Sequence, residues 1–172
     1  MRVGLISDTH LSSGVLPQAI TNAFQGVDLI LHAGDLVTLD VLHQLETIAP
    51  VTAIQGNMDM PDVRRNLTSK MVIEIQEQRI GLIHGHHVPD PQRVLPAPID
   101  FEAMHQYLLS EFQGEEVGCI IYGHTHQAHI ATYRGTLIIN PGSATRGNGG
   151  QHTLGLLIVD RNQIRGEIIQ IS

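Results

Sequence analysis

Short apolar runs, each closed by a cluster of polar residues, recur along the chain. Arg2 to Ile6 reads as a strand and stops at Ser7-Asp8-Thr9-His10. Pro17 to Gln25 carries Leu16, Ile20, Ala23 and Phe24 near helical spacing, which predicts a helix. Val27 to Leu31 is a second strand, ending in His32-Ala33-Gly34-Asp35. Thr38 or Asp40 can cap a helix running through about Ile48, with Val41, Leu42 and Leu45 turned inward. Val51 to Ile54 is a third strand, ending in Gln55-Gly56-Asn57-Met58-Asp59, and Pro61 suits a first helical turn.

This βαβαβ opening predicts a parallel sheet covered on both faces. From Lys70 the pattern changes. Met71 to Ile75 and Arg79 to Ile83 read as a hairpin joined across Gln76-Glu77-Gln78, and the second strand ends in His84-Gly85-His86-His87. Val88 to Pro98 holds four prolines without periodicity, which predicts a surface loop. Ile99 to Gln113 is a helix candidate. Val117 to Tyr122 is a strand running into Gly123-His124-Thr125-His126. Further strands are expected at His129 to Tyr133, Thr136 to Ile139, Leu154 to Val159 and Ile164 to Ile171. No linker, repeat or low-complexity tract divides the chain, so residues 1–172 are read as a single domain.

Composition narrows the class. The apolar runs are too short to span a membrane, and Met1 to Asp8 lacks the apolar length and cleavage site of a signal peptide. A single cysteine, Cys119, excludes an internal disulfide, and cytoplasm is the expected compartment. A net charge of −7 with no Lys/Arg run argues against a nucleic-acid-binding surface. Eleven histidines stand against three Phe, three Tyr and no Trp. Such an excess points towards metal ligation, catalysis or pH sensing.

The positions of these residues carry more than their number. Asp8 and His10, Asp35, Asn57, His84, and His124 and His126 lie just past the ends of five predicted strands. The crevice beyond the carboxyl ends of strands is where α/β sheets bind ligands. Gly34, Gly56 and Gly123 each precede one of these residues and can supply unusual backbone angles. Imidazole, carboxylate and amide without thiolate suit Mn, Fe, Zn, Ni or Co in a reactive site, and do not suit a structural zinc.

The ordered set D-x-H, G-D, G-N-x-D, H-G-H and G-H-x-H resembles the calcineurin-like metallophosphoesterase superfamily. Small size, with Asn140-Pro141-Gly142-Ser143 after the last motif, is similar to its compact prokaryotic phosphodiesterase branch. The resemblance implies a four-layer α-β-β-α sandwich of two mixed sheets and two divalent ions, with Mn as the first expectation. Asp8, His10, Asp35 and His126 would hold one ion. Asp35, Asn57, His84 and His124 would hold the other, so that Asp35 bridges. Two carboxylates and two divalent ions leave the site at roughly +2, enough to attract a phosphoester to an acidic protein. Ions about 3.5–4 Å apart can clamp an in-line displacement by a hydroxide held between them.

One position departs from the family pattern. Many members carry His directly after the motif Asn, where it is thought to protonate the leaving group; here that residue is Met58. A thioether has no proton to donate. His86 is the candidate acid in its place, and Asp59 is expected to hold the Asn57 loop. Asn57 and Arg146 are candidate substrate contacts. Arg64 and Arg65 are expected to decorate a helix face, His32 to sit in the core, and His43 and His105 to be exposed. His129 and His152 are rim candidates. Gly147 to Gly150 lacks the Lys-Ser/Thr of a phosphate loop and reads as a flexible loop.

These readings converge on a phosphodiesterase acting on a small phosphoester. The alternatives are a non-catalytic scaffold of the same fold, like the retromer subunit, and a phosphomonoesterase. A nuclease would need a basic stripe that the sequence does not have. The late apolar strands leave room for a homodimer.

Overall fold

A computed structural model describes residues 1–88 and 99–172. The predicted loop at Val88 to Pro98 therefore lies, apart from Val88, outside the described residues. Among the described residues, ten strands form two sheets of five. The first sheet runs in the order β10-β9-β1-β2-β3, with β1 (Arg2–Ile6), β2 (Leu29–His32), β3 (Val51–Ala53), β9 (His152–Val159) and β10 (Ile164–Ile171). The second runs β4-β5-β6-β8-β7, with β4 (Lys70–Ile75), β5 (Gln78–Ile83), β6 (Cys119–Ile121), β7 (His129–Tyr133) and β8 (Thr136–Asn140). Both sheets are mixed. Strands β1, β2 and β3 are parallel, as are β5, β6 and β8, while β9, β10, β4 and β7 run antiparallel to their neighbours.

Side-chain alternation sorts the core into three layers. Val3, Leu5, Leu31, Leu82, Cys119, Ile121 and Leu157 fill the space between the sheets. Ile6, Ile30, Leu154 and Leu156 face the opposite way, under α1 (Gln18–Ala23), α2 (Asp40–Glu46) and α3 (Pro61–Asn66). Ile83, Ile120, Tyr122 and Ile138 lie under α4 (Phe101–Glu111). Helices, sheet, sheet and helix make the expected four-layer sandwich. Cys119 is fully buried in the central layer, and burial pushes its thiol up to about 12.

The two outer layers are keyed the same way. A Cβ at Gly4 would stand 2.8 Å from the Phe24 ring, and one at Gly81 would stand 2.8 Å from the Phe112 ring. Each glycine is a slot for an aromatic residue beside a helix end. Emptying such a buried slot by Phe→Ala costs about 3–5 kcal/mol.

Local details differ from the sequence expectation. Helix α2 takes no side-chain cap: Leu39 occupies the N-cap, and Asp40 lies in the first turn. Thr38 instead donates its hydroxyl to the Leu11 carbonyl at 3.3 Å, tying down the loop after β1. The hairpin turn is only two residues long. Gln76 and Glu77 adopt φ of 51° and 66°, which leaves Gln78 in β5. Asn148–Gly150 forms one short turn within the glycine-rich loop, with Gly149 at a φ of 66°. No helix among the described residues is long and apolar enough to cross a membrane.

Candidate metal centre

The carboxyl ends of β1, β2, β3, β5 and β6 meet at one edge, and the loops after them bring the seven predicted ligands together. Loops β1 and β2 are joined first. Asp8 N–H donates to the Gly34 carbonyl and His10 N–H to the Asp35 carbonyl, both at 3.0 Å. The Asp8 carboxylate then accepts from the Ser7 hydroxyl at 2.7 Å and from His124 N–H at 3.0 Å, which fastens the β6 loop to β1.

The backbone at these residues is strained. Asp8, His10, Asp35, His124 and His126 have φ of 52°, 45°, 57°, 70° and 56°. The left-handed region is uncommon for non-glycine residues, and such strain costs about 1–3 kcal/mol per residue. The adjacent glycines relieve it only in part. Gly34 does take a positive φ of 91°. Gly56 and Gly123 serve a different need, which is space: a Cβ there would meet Asp35 Oδ1 at 2.2 Å or Asp8 Oδ2 at 2.8 Å. The unusual angles fall mostly on the ligands, contrary to the sequence expectation.

Two triplets are compact enough to hold an ion. The ligand atoms of Asp8, His10 and His126 lie within 4.8 Å of one another, as do those of Asp8, Asp35 and His84. Asp35 Oδ2 lies 3.7 Å from His10 Nε2 and 3.3 Å from His84 Nε2, between the two groups. Asn57 Oδ1 lies 3.2 Å from His84 Nε2. The His124 ring stands edge-on to His84, with centroids 5.4 Å apart.

Tautomers test whether these donors suit a cation. His84 Nδ1 faces the Ala33 carbonyl at 2.7 Å, and a carbonyl can only accept, so Nδ1 carries the proton. The lone pair on Nε2 then points at Asp35 Oδ2 and Asn57 Oδ1, both acceptors. His126 repeats the arrangement. Its Nδ1 faces the Arg146 carbonyl at 3.1 Å, and its Nε2 faces Asp8 Oδ1 at 3.4 Å and His10 Nε2 at 2.9 Å. Facing acceptors repel unless a proton or a metal ion lies between them. Imidazole oriented by a carbonyl at its far nitrogen is the usual second contact of a metal-binding histidine.

Protonation behaviour follows the same fields. Burial opposes charge on His84, but its hydrogen bond to Asp35 and the Asp8 and Asp35 charges outweigh it and raise the pKa above 6.5. The Asp8 hydrogen bond raises His126. Burial would raise the Asp35 carboxyl, yet His84 and the Met58 N–H, 2.7 Å from Oδ1, hold it at about 2. Burial lowers His10 against the pull of Asp35 and Asp8. A proton on His84 or His126 occupies the position a cation would take.

A shell of buried polar residues holds the loops. Asp59 accepts from Gly56 and Val37 N–H at 2.6 Å each and from Asp35 N–H at 3.2 Å, the loop-holding part expected of it. Asn140 donates to the Gly123 carbonyl at 2.7 Å and to Thr125 Oγ1 at 3.0 Å. Thr125 is thus a tie, not merely a spacer between two histidines. Ser143 donates to the Asp8 carbonyl at 2.7 Å. His32 is buried, bonded to Thr9 Oγ1 at 3.1 Å, and burial pushes it down to about 4.

Other candidates fall differently. His86 is half-buried, with its ring 6.2 Å from that of His124. Burial, then the His84 and His87 charges, push it down to about 4, so a protonated His86 is scarce at neutral pH. Arg146 is exposed, and its charge reaches His10. His152 is half-buried at the start of β9. His43 is exposed as expected, but His105 is buried and its Nε2 lies 3.1 Å from His129 Nε2. Arg64 and Arg65 are both exposed, but Arg64 does more than decorate a helix. Its Nε donates to the Asp59 carbonyl at 2.8 Å and its Nη2 to the Asn57 carbonyl. A basic residue placed one helical turn after the G-N-x-D motif was the available signal.

Residues 1–162 match the calcineurin-like phosphoesterase superfamily domain. A probable metallophosphoesterase of Methanothermobacter thermautotrophicus is 38% identical, covering 99% of this chain and 92% of the relative. A phosphodiesterase of Methanocaldococcus jannaschii is 27% identical over 99% of this chain and all of its own length. Among solved structures, an archaeal phosphodiesterase superposes with a TM-score of 0.72 at 25% identity, covering 98% of this chain and 100% of its own. A single mutant of Vps29 from Entamoeba histolytica superposes with a TM-score of 0.74 at 25% identity over the full length of both. The matched residues contain every loop that supplies the site, and the chain belongs to the calcineurin-like phosphoesterase superfamily.

Proposed function

We propose that the protein is a metal-dependent phosphodiesterase, with Asp8, His10, Asp35 and His126 on one divalent ion and Asp35, Asn57, His84 and His124 on a second. The observation that carries this reading is the pair of rings, His84 and His126, whose far nitrogens are committed to carbonyls while their near nitrogens face carboxylate oxygens. When bound, such ions, Mn first among Ni, Fe, Zn and Co, would supply Lewis-acid charge and a nucleophilic hydroxide at neutral pH. The chain's own part is to hold the ligand loops in strained conformations and to keep Asp35 ionised. Asn57 and Arg146 are the candidate contacts to the phosphoester.

Proton supply to the leaving group is the weak step. Met58 is exposed and has no proton to give, and His86 is mostly neutral at pH 7. Diesters with acidic leaving groups should therefore turn over faster than alkyl phosphomonoesters. His86→Ala tests its part: as a proton donor, its loss would slow alkyl leaving groups far more than aryl ones.

The test is hydrolysis of bis-p-nitrophenyl phosphate, metal by metal, by wild type and by Asp35→Ala. Activity should depend on added divalent ion and fall in the variant by at least about 100-fold. Equal activity in the two proteins would remove Asp35 from the site. The similarity to Vps29 favours a second reading, a metal-binding scaffold without turnover. Wild type that binds metal but hydrolyses no ester with any divalent ion would support it.

A further inference from the structure

On the Asn57 side of the centre, a cavity of about 210 Å³ is lined by Gln55, Asn57, Arg64, Ser69, His86 and His87, together with Gly56. Among the described residues its wall is amide, hydroxyl, imidazole and guanidinium, with no apolar side chain. The volume lies below the roughly 300 Å³ at which sites for drug-sized ligands begin, and corresponds to about seven waters. A long alkyl chain is a poor match for so polar a wall.

Arg64 supplies the fixed charge. Lys70, Arg79 and Arg161 each pair with a glutamate, whereas Arg64 has no carboxylate partner among the described residues. Its two bonds to the Asn57 and Asp59 carbonyls fix the guanidinium beside the cavity and use only two of five N–H donors. An arginine held by neutral carbonyls next to a polar cavity, in a protein of net charge −7, keeps its charge available for an anion.

We infer that this cavity receives one arm of the phosphoester and that the arm is short, polar and anionic, ending in a second phosphoryl or carboxylate group held by Arg64. The inference rests on the phosphodiesterase reading for the reaction, and it names the class of substrate: small esters of phosphorylated or acidic alcohols.

Three p-nitrophenyl diesters, alike except for a hydroxyethyl, carboxyethyl or phosphonoethyl second arm, provide the test on the metal-loaded protein. In wild type, kcat/KM for an anionic arm should exceed that for the neutral arm by about ten-fold or more. Arg64→Ala should bring this ratio close to one, and Arg64→Lys should keep part of it. The ratio separates substrate contact from loop support, because a loosened Asn57 loop slows all three esters alike. A wild-type ratio near one overturns the inference, as does an unchanged ratio in Arg64→Ala. If wild type hydrolyses none of the esters with any divalent ion, the phosphodiesterase reading fails separately. Inorganic pyrophosphate binding to the metal-loaded proteins then decides the cavity. Binding weakened about ten-fold in Arg64→Ala supports it, and equal binding overturns it.

Discussion

Two pairs of histidines bring their Nε2 atoms to nearly the same distance, 2.9 Å for His10 with His126 and 3.1 Å for His105 with His129. Their surroundings have little in common. Around the first pair, Asp8 Oδ1 lies 3.4 Å from His126 and Asp35 Oδ2 lies 3.7 Å from His10. Around the second, Phe101 stacks on His129 at 3.9 Å between centroids, and the Tyr133 ring stands 5.2 Å from that of His105. The nearby Glu102 already accepts from Tyr133 and Gln106, at 2.6 and 2.9 Å. One pair sits in a field of carboxylates, and the other is a neutral N–H···N contact wrapped in rings. Close imidazoles alone do not make a metal centre. The charge that faces them decides what they attract.

The largest expected effect separates the pairs directly. His126→Ala should reduce aryl diester hydrolysis by at least about 100-fold, since even contacts behind a ligand are worth 10–100-fold. His129→Ala should leave the rate within about two-fold, as expected away from a site. Comparable losses in both variants would erase the distinction.

A smaller effect is expected at the support of the carboxylate-rich pair. Asp59→Ala strands the buried N–H groups of Gly56 and Asp35 and the half-buried one of Val37. It should cost about 1–3 kcal/mol in urea unfolding, as buried unpaired donors do. An unaltered unfolding midpoint would show that water replaces the carboxylate.

The subtlest contrast is in proton binding. In metal-free protein, the His126 pKa stands above 6.5, and those of His105 and His129 stand below it. Stability from protonated His126 is therefore present below pH 6.5 and lost as pH rises through its folded value. The aromatic pair has the opposite sign: its contribution is present above pH 6.5 and lost as pH falls towards the folded values. Histidine NMR titration should resolve the two directions, and added metal should abolish the His126 titration while leaving His129 unchanged. Titration of His126 below 6.5 would contradict the carboxylate field assigned to it.

These contrasts also mark what was legible in the sequence. Period and apolar runs located all ten strands, most readily the central ones, whose side chains alternate between two core layers. Asp and His just past strand ends located the residues that gather at the candidate site, because loop residues at that edge have no core to enter. The left-handed backbone at Asp8, His10, Asp35, His124 and His126 was not legible. Contacts between loops impose it, and nothing in local propensity asks for it. His105 lies in a helical stretch, where a histidine reads as a surface residue. It is buried only because β7 brings His129 and Tyr133 against it. Arg64 follows a helical period that points to solvent, and its reach back to the Asn57 loop depends on the flexible stem of the side chain.

Whether carboxylate-faced imidazoles hold two ions in this chain is a question of metal stoichiometry. Metal content by mass spectrometry, after loading with Mn or Zn and exhaustive dialysis, tests it most directly. Wild type should retain about two ions per chain and Asp35→Ala at most about one, as loss of a shared ligand requires. Wild type that retains none, or a variant that retains as much as wild type, would contradict the account.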